Sequence, residues 1–140
     1  MIINNSKGLA ELKGIAISFD GPDAMPAQGD PNQLKTLFMN IIENAFKYTP
    51  DNGRIGILAR SVGNIAEISI KDTGPGIPQE EISHIFDRFY RVDKSRSSSG
   101  FGLGLSIAKA IVEAHEGTIS VSSLIGNGTT FTIALPASNI

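Results

Sequence analysis

The clearest helical pattern in the chain begins at Asp30. Asp30 is a residue type that caps helices, Pro31 suits the first helical position, and Gln33 completes a capping-box spacing. Apolar residues then recur at helical spacing, which predicts one buried face. That face contains Leu34, Leu37, Phe38, Ile41, Ile42 and Ala45. The segment Thr49-Pro50 is predicted to end this amphipathic helix.

Asn40, Asn44 and Lys47 form a second stripe along the same predicted helix. At about 100° per residue this stripe lies on the flank of the apolar face, not opposite it. Ordinary polarity at the rim of a core explains such residues in many helices. Asparagine is a poor helix former, however, so two asparagines one turn apart suggest a purpose. Carboxamide oxygens suit Mg²⁺, which also takes phosphate oxygens, and a lysine offers phosphate a point charge.

Alternating apolar and polar positions predict strands at residues 14–20, 54–62, 66–71, 118–123 and 129–135. A short helix is predicted to begin at Pro78, and a longer one to run from Leu103 to a stop at Gly117. This order suits a mixed five-stranded sheet covered on one face by about three helices. The predicted fold class is therefore a two-layer α/β (α+β) sandwich.

Composition narrows the class of protein. The 140 residues are 41% hydrophobic and 19% charged, which fits one globular domain. A net charge of −2 gives no electrostatic reason to bind nucleic acid, and the lack of cysteine excludes disulfides and thiolate–zinc sites. No apolar run approaches the ~20 residues of a membrane span, and no signal peptide is visible. We expect a cytoplasmic, monomeric domain.

Two glycine-rich segments carry the candidate chemistry. Residues 72–78 read DTGPGIP, with Asp72 at the exit of a predicted strand, and residues 100–106 read GFGLGLS and lead into a predicted helix. Turns commonly use aspartate and glycine, so either segment alone is a weak signal. A helix start after glycines nevertheless presents free N–H groups to an anion. With three arginines and one lysine in residues 88–96, the pattern predicts a nucleotide pocket.

The order of the segments is more specific than any one of them. A helix with two asparagines is followed by DTGPGIP, FDRFYR, GFGLGLS and GNGTTF. This series resembles the ATP-binding kinase domain of sensor histidine kinases, in the wider superfamily of gyrase, Hsp90 and MutL ATPases. The resemblance covers about residues 12–136 and implies a Bergerat-type fold with a mobile ATP lid at about residues 77–101. Residues 1–11 are then expected to be a boundary remnant of a longer protein, and residues 12–140 the domain.

The resemblance implies Mg-ATP as the ligand and assigns roles to particular residues. Asp72 would accept a hydrogen bond from the adenine amino group, and Thr129 would support adenine recognition, with Thr130 as the alternative. Asn40 and Asn44 would hold Mg²⁺. The catalytic candidates are Asn40, Asn44, Lys47 and Arg91. The other residues that the resemblance implies at the nucleotide are Tyr48, Gly74, Gly76, Ile77, Lys94, Gly100, Phe101, Gly102, Leu103, Gly104 and Leu105.

The implied activity is transfer of the γ-phosphate of ATP to a histidine on a separate dimerisation domain of the same parent protein, with a response regulator downstream. The family's phosphoacceptor context is absent here, and neither His84 nor His115 matches it. Asn40 stands where the gyrase and MutL branch has a water-activating glutamate, so we expect slow intrinsic hydrolysis. Three alternatives stay open: a switch-type serine kinase that binds a transcription factor, a nucleotide-binding regulatory module, and a parent that acts mainly as a phosphatase. Whether the parent is anchored in the inner membrane also stays open.

Overall fold

The computed structural model describes residues 14–21, 29–87 and 104–136 of the chain. The elements in these ranges are β1 (Ala16–Asp20), α1 (Pro31–Tyr48), β2 (Arg54–Val62), β3 (Ile65–Asp72), α2 (Gln79–Ile82), α3 (Gly104–Ala114), β4 (Thr118–Leu124) and β5 (Gly128–Pro136). Each lies within a few residues of its predicted position. No helix in these ranges has both the length and the apolar character needed to cross a bilayer.

The described strands form one sheet in the order β1-β2-β3-β5-β4. β1 and β2 are parallel, because the intervening helix α1 returns the chain to the end of the sheet at which β1 begins. The remaining neighbours are antiparallel. The predicted mixed five-stranded sheet is therefore confirmed. β5 lies between β3 and β4. The start of β5 is therefore flanked by the end of β3 on one side and by the end of β4 on the other.

The core lies on one face of this sheet. Inward side chains alternate along the strands, and α1 and α3 lay their apolar faces over them. The buried apolar residues include Leu37, Ile41, Ile42, Ala45 and Phe46 of α1, Val112 of α3, and Ile55, Ile70, Phe131, Ile133 and Leu135 of the sheet. On the other face Leu58 is 44% exposed. The helices thus cover one face, which confirms the two-layer α/β sandwich.

The start of α1 differs from its predicted cap in one respect. Asp30 does cap the helix, because its Oδ1 accepts a hydrogen bond from the Asn32 N–H at 2.9 Å. The Asp30 N–H, however, donates to Nε2 of His115 at 3.2 Å, and not to the side chain of Gln33. The capping-box prediction was therefore wrong for Gln33. A residue just after α3 takes its place and ties the end of α3 to the start of α1.

Phe86 anchors the segment that follows α2. Its ring meets that of Phe131 edge to face, with centroids 6.2 Å apart and planes at 81°. Ile85 is buried beside it, and Nζ of Lys109 lies 5.7 Å from the Phe86 ring centroid. These contacts pack the segment that follows α2 against the sheet and α3.

Candidate nucleotide-binding site

Asp72 ends β3 with a buried carboxylate. The residue is 3% exposed. Its Oδ1 accepts a hydrogen bond from the Gly74 N–H at 2.8 Å, and the backbone N–H of Thr129 also donates to the carboxylate. Burial raises the pKa of Asp72 above its ordinary value of 3.8, and the two backbone hydrogen bonds offset only part of that rise. A ligand that donates to this carboxylate would relieve a charge that water cannot solvate.

Asp72 belongs to a polar row that crosses three strands. It pairs with Thr129 of β5, and Thr129 pairs in turn with Ser123 of β4. Thr129 and Ser123 are each 5% exposed. Thr130 has the opposite parity and lies on the other face of the sheet. Of the two threonines that the sequence leaves as alternatives, Thr129 is the one that shares the face of Asp72.

The loop after Asp72 is fastened to the β4–β5 hairpin. The Ile77 N–H donates to Ser123 Oγ at 2.7 Å, and Gln79 Nε2 donates to the Ser123 carbonyl oxygen at 2.7 Å. The Gly126 N–H donates to the Pro75 carbonyl oxygen at 2.9 Å. These bonds hold the loop against β4 and the turn that follows it, so the wall beside Asp72 is supported by the hairpin.

Gly74 lets this loop pass the end of α1. A Cβ at Gly74 would lie 2.6 Å from the Tyr48 carbonyl oxygen and 3.0 Å from Asp72 Oδ1. Any side chain would therefore push the loop away from the helix or disturb the bond to Asp72. The last residue of α1 and the exit of β3 consequently lie side by side.

The asparagine stripe lies on the flank of α1, as the helical spacing predicts. Asn40 and Asn44 are half-buried and Lys47 is exposed. Lys47 Nζ lies 5.5 Å from the ring centroid of Tyr48. Asn40 and Tyr48 are about 12 Å apart along the helix axis at ~1.5 Å per residue. The stripe therefore runs along α1 away from the end of the helix that lies beside Asp72.

The start of α3 lies at the far end of that stripe. A Cβ at Gly104 would lie 3.8 Å from Asn40 Oδ1. The first turn of α3 therefore brings backbone N–H groups and the positive end of the helix dipole close to Asn40. The Leu105 side chain packs against the core, so this residue would reach a ligand through its backbone N–H.

The donor set around Asn40 fits Mg²⁺ that arrives with phosphate. Mg²⁺ prefers oxygen ligands in octahedral geometry and usually keeps waters and phosphate oxygens among them. No hydrogen bond to another described residue occupies the Asn40 or Asn44 carboxamide. Two neutral oxygens one helical turn apart would supply part of a coordination shell, which phosphate and water would complete.

A shallow groove of about 460 Å³ lies elsewhere, between α1 and α3. Its lining includes Asn32, Thr36, Ile107 and Ala114. None of the predicted nucleotide residues lines it. Because its walls are mostly apolar and carry no cation or carboxylate, we do not assign the nucleotide to this groove.

The comparison with protein families decides the identity of the domain. A family model described as "Histidine kinase-, DNA gyrase B-, and HSP90-like ATPase" matches residues 29–139. The chain belongs to this family. The matched range contains both the asparagine helix and Asp72, so the site described above lies inside the ATPase domain that defines the family.

Similar proteins are sensor histidine kinases. TmoS of Ectopseudomonas mendocina is 40% identical over 139 residues, which are 97% of this chain and 14% of TmoS. CusS of Escherichia coli K12 is 40% identical over 133 residues, which are 94% of this chain and 27% of CusS. The chain spans 14% to 33% of the length of such curated relatives. It corresponds to their catalytic, ATP-binding domain.

Solved structures agree with this assignment. The mycobacterial sensor histidine kinase MprB is 32% identical with a TM-score of 0.83, over 99% of this chain and 95% of that one. The nucleotide-free catalytic domain of the histidine kinase ThkA is 25% identical with a TM-score of 0.86, over 97% of this chain and 88% of that one. The ATPase domain therefore has the histidine kinase catalytic fold.

Sequence reasoning missed Ser123, whose hydroxyl joins the loop after Asp72 to β5. A signal for it was present, because Ile119, Val121 and Ser123 alternate along β4 and a serine thus takes an inward position. Six predicted nucleotide residues lie outside the described part of the ATPase domain and stay predictions. They are Arg91, Lys94, Gly100, Phe101, Gly102 and Leu103. The same holds for most of the predicted lid and for residues 1–11.

Proposed function

We propose that this domain binds Mg-ATP and transfers the γ-phosphate to a histidine on a separate dimerisation domain of the same parent protein. A response regulator would then receive the signal. The relatives at 40% identity are sensor histidine kinases, and the histidine kinase ThkA has been solved in complex with the response regulator protein TrrA. The proposal carries that arrangement over to this chain.

One observation carries the proposal. A buried carboxylate at the end of β3 lies beside the end of α1, and the half-buried asparagines of α1 lead from there to the start of α3. An acceptor for a base thus stands at one end of the helix, and oxygen ligands with a helix N-terminus stand at the other. A nucleoside triphosphate has the same order of chemical groups, with a base at one end and Mg²⁺-binding phosphates at the other.

The proposal assigns a role to each residue of the site. Asp72 accepts a hydrogen bond from the adenine amino group, and Thr129 supports that contact. Asn40 and Asn44 hold Mg²⁺, which would offset charge on the phosphates when bound. Lys47 and Arg91 are the cations for the phosphates, and the backbone of residues 102–105 caps them.

Phosphoryl transfer requires positioning and charge neutralisation more than covalent chemistry from the protein. Neither Asn40 nor Asn44 is able to act as a general base, since a carboxamide does not take a proton near neutral pH. Glu43 is exposed and is rotated by about 100° around α1 from Asn44, although it lies within about 60° of Asn40. The site therefore holds ATP without activating water, and the nucleophile comes from the dimerisation domain.

The test is a transfer reaction with γ-³²P-labelled ATP and the separate dimerisation domain of the parent protein. Acid-labile label on that domain is expected, with none when its acceptor histidine is replaced by glutamine or when this chain carries Asn44→Ala. Binding of ATP without any transfer would favour a nucleotide-binding regulatory module. Acid-stable label on a protein substrate would favour the serine kinase, and either result would refute histidine transfer.

A further inference from the structure

The Ser123 hydroxyl makes three polar contacts. Its Oγ lies 2.7 Å from the Ile77 backbone nitrogen, 3.0 Å from the Gly128 carbonyl oxygen and 2.9 Å from Thr129 Oγ1. The residue is 5% exposed, as is Thr129. The whole set is thus withdrawn from water, and each hydroxyl proton must be accounted for within it.

Counting the protons fixes the direction of each bond. The Ile77 N–H donates to Ser123 Oγ. The Gly128 carbonyl oxygen has no proton, so the single Ser123 proton is donated to it. The contact with Thr129 then has to be donated by the Thr129 hydroxyl. With its proton directed at Ser123, Thr129 Oγ1 offers other groups only lone pairs.

We propose that Ser123 is a positioning residue that makes Thr129 a hydrogen-bond acceptor on the base side of the site. Asp72, the neighbour of Thr129 across the β3–β5 ladder, is an acceptor too. Two acceptors side by side require a donor from the ligand. A purine with a 6-amino group supplies one, whereas a 6-oxo purine presents an oxygen that both side chains repel. This inference rests on the proposed function, because it assumes that a purine nucleotide occupies the site.

ATP and inosine triphosphate make a matched pair of probes. They differ in the 6-substituent, with the attendant proton at N1, and share the ribose and phosphates. Their affinity ratio therefore cancels contributions from the phosphate end and from any fraction of unfolded protein. In Ser123→Ala the Thr129 hydroxyl becomes free to rotate and to donate to a 6-oxo group. We expect the ratio of ATP to inosine triphosphate affinity to fall about fivefold, the equivalent of one hydrogen bond.

Ser122→Ala is the matched control, because Ser122 is the adjacent residue on the opposite face and is exposed. Its affinity ratio should equal that of the unsubstituted chain. Thr129→Val tests the route of the effect. It should lower the ratio as well, and the double variant Ser123→Ala/Thr129→Val should lower it no further.

The outcomes separate the two proposals. An unchanged ratio in Ser123→Ala, or additive losses in the double variant, would overturn the positioning role and leave nucleotide binding intact. An unsubstituted chain that binds neither nucleotide would instead overturn the proposed function, and the positioning role with it. A ratio that falls equally in Ser122→Ala would also overturn the inference.

Discussion

Replacing Asp72 by asparagine separates the cost of burying a charge from the use of that charge in binding. The two side chains have nearly the same size, and an asparagine oxygen is able to keep the 2.8 Å hydrogen bond from the Gly74 N–H. The substitution removes the charge and replaces one of the two acceptor oxygens by an NH2 donor. Stability and nucleotide affinity should consequently respond in different ways.

The sign of the stability effect follows from the raised pKa of Asp72. Its ordinary value is 3.8, and burial raises the pKa in the folded state. The folded chain therefore keeps this proton to higher pH than the unfolded chain does. Its contribution is fully present below the ordinary pKa and is lost as pH rises through the folded pKa. A pKa difference of one between the two states corresponds to about 1.4 kcal/mol. The amide of Asp72→Asn does not titrate in this range, so its own contribution to stability is the same at every pH.

Urea unfolding at several values between about pH 4 and about pH 8 measures this difference. The free energy of unfolding of the unsubstituted chain, minus that of Asp72→Asn, should decrease as pH rises. Asp51→Asn removes a carboxylate from an exposed turn and serves as the control for a change in net charge. If this free-energy difference for Asp72→Asn stays constant or increases with pH, the conclusion that the buried Asp72 charge destabilises the fold is refuted.

Nucleotide binding should depend on the Asp72 carboxylate in the opposite sense: the charged form, which lowers stability, should favour binding. At neutral pH, Asp72→Asn should bind ADP about tenfold to a hundredfold more weakly, because the amide is a weaker acceptor and turns a donor towards the base. Affinity of the unsubstituted chain should also fall as pH is lowered through the folded pKa of Asp72. Calorimetry on both chains separates this effect from titration of the phosphates, which the variant shares. Equal ADP affinities at neutral pH would remove Asp72 from the site.

The remaining predictions concern the phosphate end, the core and the link between helices. Asn44→Ala should abolish the Mg²⁺-dependent part of ATP affinity in calorimetry with and without Mg²⁺, while urea unfolding changes by less than about 1 kcal/mol at this half-buried position. Phe131→Ala, which empties a fully buried site, should cost about 3–5 kcal/mol in urea unfolding. His115→Ala removes the acceptor of the exposed Asp30 N–H, which water then solvates, and should cost about 0.5–1 kcal/mol, with ADP affinity unchanged because this link is remote from Asp72.

Local pattern was sufficient for most of the fold. Period-two alternation gave β2 the same bounds in sequence and structure, Arg54–Val62, since each of its inward residues faces the core of a sheet buried on one side. Helical spacing likewise put Asn40 and Asn44 at the rim of the core. In both cases one period fixes which residues are buried, whatever the element packs against.

Contacts between distant segments were beyond such reasoning. Alternation shows that Thr129 and Thr130 lie on opposite faces, but which of them meets Asp72 depends on the register of β5 against β3. The capping-box prediction for Gln33 failed for the same reason, because the actual acceptor, His115, is separated from Asp30 by 85 residues. A spacing rule considers only local partners, and here the chain brings a more distant one to the helix start.

The two ends of the site differ in how they are held, and this decides how variants should be interpreted. Asp72, Thr129 and Ser123 are at most 5% exposed and share hydrogen bonds with the sheet backbone. A change in one of them therefore alters stability and base recognition together, and only a comparison between ligands separates the two. Asn40 and Asn44 lie half-buried on a helix whose core residues are on another face. Their substitution leaves the core packed, so a loss of affinity there can be attributed directly to the lost ligand contact.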